Sequence, residues 1–456
     1  MTLELLSDKL RSTQSGAGLS DASSSGSRSR LVVVRRRIRT VAALLAVSTL
    51  TAVGGATGSR AADPIPGTAG AGTSTGVVEP PRPAFYEPPA AIPALAGTVI
   101  RSEPATFLLD PLQLSSTLVT ATRVMYASRD VKGRPMAVTG TLFVPRAPWI
   151  GFGVRPLISY APGTQGLADR CAPSRLLSDT VLEYEGPLIS GFITRGYAIL
   201  LTDYQGLGTP GSHTYMVRAP QGQAVLDGAR AALRLQGLSA SSTPIGIMGY
   251  SQGGGAAASA AELAASYAPE LRVKGVVAGA VPADLAAVAA NLDGGLFAAF
   301  DGYGMIGLAE AGDVDLTPYL NASGRDHARR LEGSCVTDLA EFAFKRSTDL
   351  SADGRSFSDY LREEPFKTLV AQNRIGRLRP AMPVRLVHSA LDDTIPYAVG
   401  RQLMRDWCAR GTNATFSTNI VPTHLGGMAP HIGESMAFFE ARFAGLPQLS
   451  NCWFYG

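Results

Sequence analysis

The chain has 456 residues, 41 Lys and Arg against 37 Asp and Glu, a formal net charge of +4 and 45% hydrophobic residues. This length is ample for a large buried core and allows more than one domain. The small net charge, with arginines scattered after the first 40 residues, excludes the dense basic face of a nucleic-acid-binding protein, so we expect no nucleic-acid partner.

The first 61 residues have the composition of an export signal with a long lead. Four arginines at 35–39 precede an apolar stretch at 41–53 and then small residues suited to cleavage near Ala61 or Ala62. Because the apolar stretch is short for a spanning helix of about 20 residues, we expect a secreted protein. The export route, general or twin-arginine, stays open, as does a permanent anchor in the cell envelope.

Residues 62–95 are rich in Pro, Gly and Ala and predict a linker that lies against the domain surface. Beyond it, residues 122–130 and 135–145 predict an antiparallel pair around the turn at Lys132-Gly133. Helical patterns, such as the one at 221–235, then alternate with short apolar runs. These runs are 157–160, 197–202, 245–248, 273–278, 384–388 and 415–421. Continuous apolar strands separated by helices indicate βαβ units and a mainly parallel sheet, which is an α/β fold.

One connection is far longer than an ordinary crossover, because about 100 residues separate Val281 from Val384. The insert is rich in aromatic and aliphatic residues, which is too apolar for a disordered linker, so we predict a helical cap at 282–380. The alternative is a small domain with its own core and no role in substrate binding. The predicted core then consists of 96–281 and 381–456.

Gly249-Tyr250-Ser251-Gln252-Gly253 fits G-x-S-x-G between an apolar strand and an alanine-rich helix predicted from Ala256 to Ala265. At such a nucleophile elbow the chain turns so sharply that side chains two positions before and after the serine would collide with backbone. The turn places the hydroxyl at the helix N-terminus, where the dipole favours negative charge. The alternative is a tightly packed glycine turn without catalytic function.

A serine nucleophile needs a histidine base, and in α/β-hydrolases the order along the chain is Ser, acid, His. The chain has five histidines: His213, His327, His388, His424 and His431. The first precedes the serine, the second lies in the insert, and the third precedes the candidate acids. Of the two that remain, His424 follows the last predicted strand directly, whereas His431 lies where the final helix should begin. We therefore predict His424 as the base.

The acid is expected after a late strand, and "PVRLVHSALDDTIPY" supplies one followed by Asp392-Asp393. We favour Asp392, with Asp393 as a loop or helix cap. Two backbone N–H groups should form an oxyanion hole. One belongs to Gln252, and the other to Thr164 or Gln165 in "APGTQG", with Thr164 preferred. A simple Gly/Pro turn is the alternative for this loop.

Several segments resemble the secretory lipase family: "CAPS" at 171–174, "TDYQG" at 202–206, "AVLDGARAA" at 224–232, "GYSQGG" at 249–254, "AASYAPELRVKGV" at 264–276 and "HSALDDTIPY" at 388–397. The resemblance runs from about Ala84 onward. It implies an α/β-hydrolase core, a helical cap over the active site, and hydrolysis of carboxylic esters of fatty acids. Ser251, Asp392 and His424 fall on the family's triad positions. Gln252 stands where a familiar fungal member of the family has glycine in this motif, which should matter little because only the backbone N–H is needed.

Four cysteines in an exported chain indicate two disulfides, and three connectivities are open. The family resemblance implies one of them, in which Cys171 pairs with Cys335 and Cys408 with Cys452. With no C-x-x-C motif or Cys/His cluster, we expect no metal site and no cofactor.

The leading functional hypothesis is an exported serine hydrolase, a lipase or esterase, that acts on a lipid or ester substrate, with a lipid–water interface as a candidate partner. We expect a monomer. A secreted peptidase or acyltransferase on the same fold is the alternative. Asp301, Asp313 and Asp315 of the insert could serve a peptidase by receiving an N-terminal amine. A non-catalytic binding protein is disfavoured by the complete Ser, Asp and His set.

Overall fold

The structure, a computed structural model, describes residues 81–107, 118–179 and 183–455. The lead and signal segment at 1–61 and the first part of the linker lie outside the described residues. The described end of the linker packs on the body, because Phe85 and Tyr86 are buried and the Tyr86 hydroxyl lies 2.8 Å from Ser174 Oγ. None of the helices in these ranges combines the length and apolarity needed to cross a bilayer.

Nine strands in the described ranges form one sheet in the order β1-β2-β3-β5-β4-β6-β7-β8-β9. Their bounds are β1 Val99–Ala105, β2 Val119–Arg129, β3 Pro135–Pro145, β4 Leu157–Ala161, β5 Ala198–Thr202, β6 Ile245–Tyr250, β7 Val273–Gly279, β8 Val384–Ser389 and β9 Ala414–Asn419. The pairs β1–β2, β2–β3 and β3–β5 are antiparallel, and the remaining pairs are parallel. The prediction of a mainly parallel sheet is confirmed. The half-exposed edge strand β1 has no continuous apolar run and was not predicted.

Helices cover both faces of the sheet. Their bounds are α1 Pro173–Asp179, α2 Gly186–Thr194, α3 Arg218–Leu235, α4 Gln252–Tyr267, α5 Leu285–Leu292, α6 Ala299–Gly312, α7 Ala322–Glu332, α8 Phe357–Tyr360, α9 Phe366–Asn373, α10 Tyr397–Ala409 and α11 Met428–Phe443. One apolar cluster joins α3, α4 and α10 to the sheet, and a second joins α1, α2 and α11 to it. A parallel sheet sandwiched in this way is the α/β-hydrolase arrangement that the sequence predicts.

The insert between β7 and β8 holds helices α5 to α9. It has an apolar cluster of its own, around Met305, Leu308 and Phe366. A further cluster joins Tyr303 of the insert to Tyr215 of the core. The insert therefore has its own packing and also contacts the core.

Two disulfides cross-link the described chain, Cys171–Cys335 and Cys408–Cys452, which is the pairing implied by the resemblance. The first ties the loop after β4 to the insert. The second ties α10 to the segment beyond α11. Because β4, β6, β8 and β9 are parallel, the loops at their carboxyl ends meet at one edge of the sheet.

Candidate active site

Ser251 occupies a strained turn between β6 and α4. Its backbone angles are φ 59° and ψ −120°, in a region that non-glycine residues rarely adopt. A Cβ at Gly249 would lie 2.2 Å from the carbonyl oxygen of Gly253, and one at Gly253 would lie 2.1 Å from that of Ala161. Both positions flanking the serine therefore require glycine, which is the steric condition of a nucleophile elbow.

Helix α4 begins at Gln252, immediately after the serine, and not at Ala256 as the sequence predicts. Three glycines follow Gln252. Because glycine is a poor helix former, helix propensity alone predicts that the helix begins only after them. Tertiary packing explains their presence, because a Cβ at Gly254 would lie 2.1 Å from the carbonyl oxygen of Gly279. The early start places the Ser251 hydroxyl directly at the helix N-terminus.

The side chains of Asp392 and His424 form a buried hydrogen-bonded pair. His424 Nδ1 lies 2.8 Å from Asp392 Oδ2 and 3.0 Å from Oδ1. The backbone N–H groups of Thr394 and Ile395 also donate to Asp392 Oδ1, at 2.9 and 2.8 Å. Burial alone would raise the pKa of Asp392, but hydrogen bonds from His388, His424 and Ile395 outweigh it and lower that pKa well below its ordinary value. Asp392 is therefore an ionised carboxylate at neutral pH.

Three further residues make contacts around this pair that were not predicted from the sequence. His388 Nε2 lies 3.4 Å from Asp392 Oδ2 and donates to the carbonyl oxygen of Ile395 at 3.0 Å. Asp393 accepts a 2.8 Å hydrogen bond from the backbone N–H of His424. The Tyr250 hydroxyl donates to the carbonyl oxygen of His424 at 2.6 Å. His424 is thus held through its side chain and through both its backbone N–H and its backbone carbonyl oxygen.

His431 lies apart from the acid. It is buried in the first turns of α11, with its ring centroid 5.2 Å from that of Tyr250. Neither ring nitrogen has a hydrogen-bond partner in the described part of the chain, and burial lowers its pKa to about 3. Its surroundings are those of a packed neutral side chain.

Ser251 and His424 lie on neighbouring loops. Tyr250, next to the serine, has its ring centroid 5.0 Å from that of His424. Within residues 81–107, 118–179 and 183–455, no hydrogen bond is formed by Ser251 Oγ. In unliganded enzymes such bonds are often long and tighten only when substrate is bound.

The candidate oxyanion donors have free N–H groups. Among the described residues, the backbone N–H groups of Gln252, Thr164 and Gln165 find no acceptor. The preceding N–H, that of Gly163, instead donates to Glu185 Oε2 at 2.9 Å. Thr164 is further fixed by a 2.7 Å hydrogen bond between its hydroxyl and that of Tyr215. Both alternatives for the second donor therefore keep an available N–H.

Two buried glutamates support the loop that carries Thr164 and Gln165. Glu185 accepts from Gly163 N and from the Tyr160 hydroxyl, and Glu183 accepts from Gln165 Nε2 at 3.0 Å. Burial raises the pKa of Glu185 to about 7 and that of Glu183 well above its ordinary value. The sequence signal, two glutamates in "VLEYEG", was not used in the prediction.

The Gln252 side chain also has a defined partner. His213 Nδ1 lies 2.7 Å from the carbonyl oxygen of Gln205, so Nδ1 carries the proton and Nε2 accepts from Gln252 Nε2 at 2.9 Å. Burial lowers the pKa of His213 to about 4, which keeps the ring neutral. The residue after the nucleophile is thus fixed through its side chain as well as through the helix.

A narrow cavity of about 40 Å³ lies beside Ser251. Its walls come mainly from α5 and α6 of the insert, with contributions from the loop after β8. The apolar lining includes Leu285, Val288, Leu292, Phe300, Met305 and Ile395. One acidic side chain, Asp301, shares this lining.

Comparison with known proteins agrees with this architecture. The family described as Secretory lipase matches residues 173–451. A probable inactive lipase of Mycobacterium tuberculosis is 30% identical over 380 residues, which are 80% of this chain and 82% of that protein. Lipase 10 of Candida albicans is 26% identical, with 83% and 84% of the two chains covered.

Candida antarctica lipase A in its closed state superposes with a TM-score of 0.72, at 24% identity, over 82% of this chain and 89% of that one. At this identity the superposition shows a common fold. The family match and the identity with the mycobacterial relative also show which family the chain belongs to. The chain belongs to the secretory lipase family, which is a family of carboxylic ester hydrolases.

Proposed function

We propose that the protein is a secreted serine hydrolase that cleaves carboxylic esters of fatty acids through an acyl-enzyme. The observation that carries the proposal is Ser251 on its strained turn, facing an apolar cavity and next to the loop of a carboxylate-bound histidine. The name of the mycobacterial relative includes the word inactive, so activity itself is the first property to measure.

In the proposed reaction, His424 Nε2 takes the proton of Ser251 as Oγ attacks the ester carbonyl carbon. Asp392 keeps the other ring nitrogen protonated and stabilises the imidazolium that forms. The carbonyl oxygen becomes an oxyanion facing the N–H groups of Gln252 and of Thr164 or Gln165. The C–O bond to the alcohol breaks, and the alcohol leaves with the proton from His424. Water, activated by the same histidine, then releases the fatty acid and restores the serine.

The cavity lining supports a fatty acyl substrate. Aliphatic and aromatic side chains from α5 and α6 form most of its surface, so an acyl chain buried there gains hydrophobic free energy. We accordingly propose that residues 282–380 act as a cap that binds the acyl chain. Asn291 of α5 donates to the carbonyl oxygens of Asp393 and Thr394, which links this cap to the acid loop.

Two of the acidic residues that could have favoured a peptidase lie outside this cavity. Asp313 is exposed and pairs with Lys132. Asp315 is exposed and accepts from the backbone N–H of Thr317 at 2.8 Å. Neither contributes to the lining beside Ser251, so the described residues of the site form no cluster of carboxylates that could receive an N-terminal amine.

The test compares p-nitrophenyl esters of increasing chain length with aminoacyl-nitroanilides. Ester hydrolysis should dominate, and Ser251→Ala should stay folded while kcat falls on the order of 10⁵-fold or more. Ser266→Ala, an exposed serine of the same helix α4, is the matched control and should keep full activity. A serine-reactive organophosphate should attach to Ser251, and attachment elsewhere would overturn the assignment.

Secretion is tested by finding the N-terminus of the exported protein near Ala61 or Ala62.

A further inference from the structure

Asp301 is a carboxyl group in an apolar cavity beside the candidate nucleophile. It lies in the first turn of α6, it is only 6% exposed, and it lines the same cavity as Ser251. Its neighbours in that lining include Leu292, Phe300 and Met305. A buried polar group in such surroundings costs free energy unless it is hydrogen-bonded.

No partner in the described part of the chain satisfies this carboxyl. Among the described residues, neither oxygen of Asp301 forms a hydrogen bond or an ion pair. The nearby Asp293 is engaged differently, because its two oxygens accept from the backbone N–H and the hydroxyl of Ser347 at 2.7 and 2.8 Å. Burial, with a smaller contribution from the charge of Asp293, raises the pKa of Asp301 well above its ordinary value. The raised pKa favours the protonated carboxyl, which has one O–H to donate and oxygens that accept.

We propose that Asp301 is a specificity residue that selects esters whose acyl chain carries a hydroxyl group, which exchanges hydrogen bonds with the Asp301 carboxyl inside the cavity. The inference rests on the proposed ester hydrolysis and names its substrate class. A hydroxyl both donates and accepts, so it can pair with the Asp301 carboxyl whether or not that group is protonated, and its desolvation costs far less than that of an ammonium group. Among the described residues that line the cavity, Asp301 alone is charged, so an ammonium group would find no second carboxylate there.

The experiment measures kcat/KM for p-nitrophenyl esters of equal chain length, one unsubstituted and the others with a hydroxyl at successive carbons. The wild-type enzyme should prefer the hydroxylated ester at one or two positions by about tenfold or more, since an unsubstituted chain leaves the carboxyl unsatisfied. Asp301→Asn retains a donor and an acceptor and should keep a preference. Asp301→Leu should reverse it. Asp313→Asn, at the exposed end of the same helix, is the matched control and should change nothing.

A wild-type ratio near one at every hydroxyl position would overturn the proposal, and this result does not depend on whether Asp301→Leu folds. A preference for an ammonium-bearing chain over the hydroxylated one would also overturn it. Binding separates this inference from the proposed function. With Ser251→Ala, hydroxylated fatty acids should raise Tm more than unsubstituted ones of equal length, whether or not the wild-type protein hydrolyses esters. If the protein hydrolyses esters but does not distinguish hydroxylated from unsubstituted chains, the role of Asp301 is wrong and the proposed function stands. If it distinguishes the two fatty acids but hydrolyses no ester, the proposed function is wrong and the role of Asp301 stands.

Discussion

Around Ser251 the chain is positioned by backbone packing, whereas around His424 it is positioned by side-chain hydrogen bonds. The elbow depends on Gly249 and Gly253, whose hydrogens face carbonyl oxygens too close for any Cβ. The histidine loop instead depends on Asp392, Asp393 and Tyr250, each of which bonds a different part of His424. Substitution of these glycines should therefore destabilise the fold, whereas substitution of the side chains that hold the histidine loop should remove activity while the fold survives.

The largest effect is expected from His424→Ala, which removes the base from the side-chain-built region. We expect kcat to fall on the order of 10⁴- to 10⁶-fold with little change in Tm. His431→Ala changes a buried histidine that has no hydrogen-bond partner among the described residues, and it should retain most of the activity. Steady-state kinetics with a p-nitrophenyl ester and circular dichroism measure both. Reversed activities would mean that the base has been misassigned.

Asp392→Asn should have the next largest effect. It should lower kcat about 10⁴-fold, because the amide favours the wrong tautomer of the histidine. Asp393→Asn keeps an oxygen able to accept from the His424 backbone N–H, so it should cost less than about tenfold. The same assay decides between them. If the two variants lose activity equally, the two carboxylates share one role and Asp392 is not the sole acid.

Gly253→Ala tests the backbone-built region. A Cβ there would lie 2.1 Å from the carbonyl oxygen of Ala161, so we expect the free energy of unfolding to fall by about 1–3 kcal/mol or more. Gly433→Ala is the control, since this exposed helical glycine has nothing within 4 Å of the added Cβ and should gain about 0.5–1 kcal/mol. Urea denaturation measures both changes. A fully stable Gly253→Ala would show that the elbow can relax.

The smallest effect is expected at Glu185, one of the side chains that support the serine's half of the site. A carboxyl whose pKa is higher in the folded chain destabilises the fold when it ionises. Because burial raises the pKa of Glu185 from 4.5 to about 7, the unfolding free energy should fall as pH rises through this range. Glu185→Gln should reduce this loss of unfolding free energy with rising pH. Part of the loss should remain, because burial also raises the pKa of Glu183. Urea titrations at pH 5 and 8 test this, with the exposed Glu440→Gln as a control that should leave the slope unchanged.

Local patterns predicted the central strands and the elbow, because short apolar runs and a glycine motif are properties of neighbouring residues. Strand β9 ends at Asn419 and not at Val421, since the Asn419 side chain accepts from the Val421 backbone N–H and turns the chain away. The role of His388 beside Asp392 was missed because it was ranked by chain order alone. The Gln252–His213 contact joins residues 39 positions apart, which no local pattern could reveal.

The Cys171–Cys335 bridge makes the chain between these residues a covalent ring, with 164 positions separating its ends and Ser251 inside it. A protease that cuts once within this ring, including in the first half of the insert, does not divide the molecule. The nicked protein would migrate as one species on a non-reducing gel and as two after reduction. A single cut within this ring therefore opens the chain without loss of a fragment, because the disulfide and the packing of the core hold the two parts together.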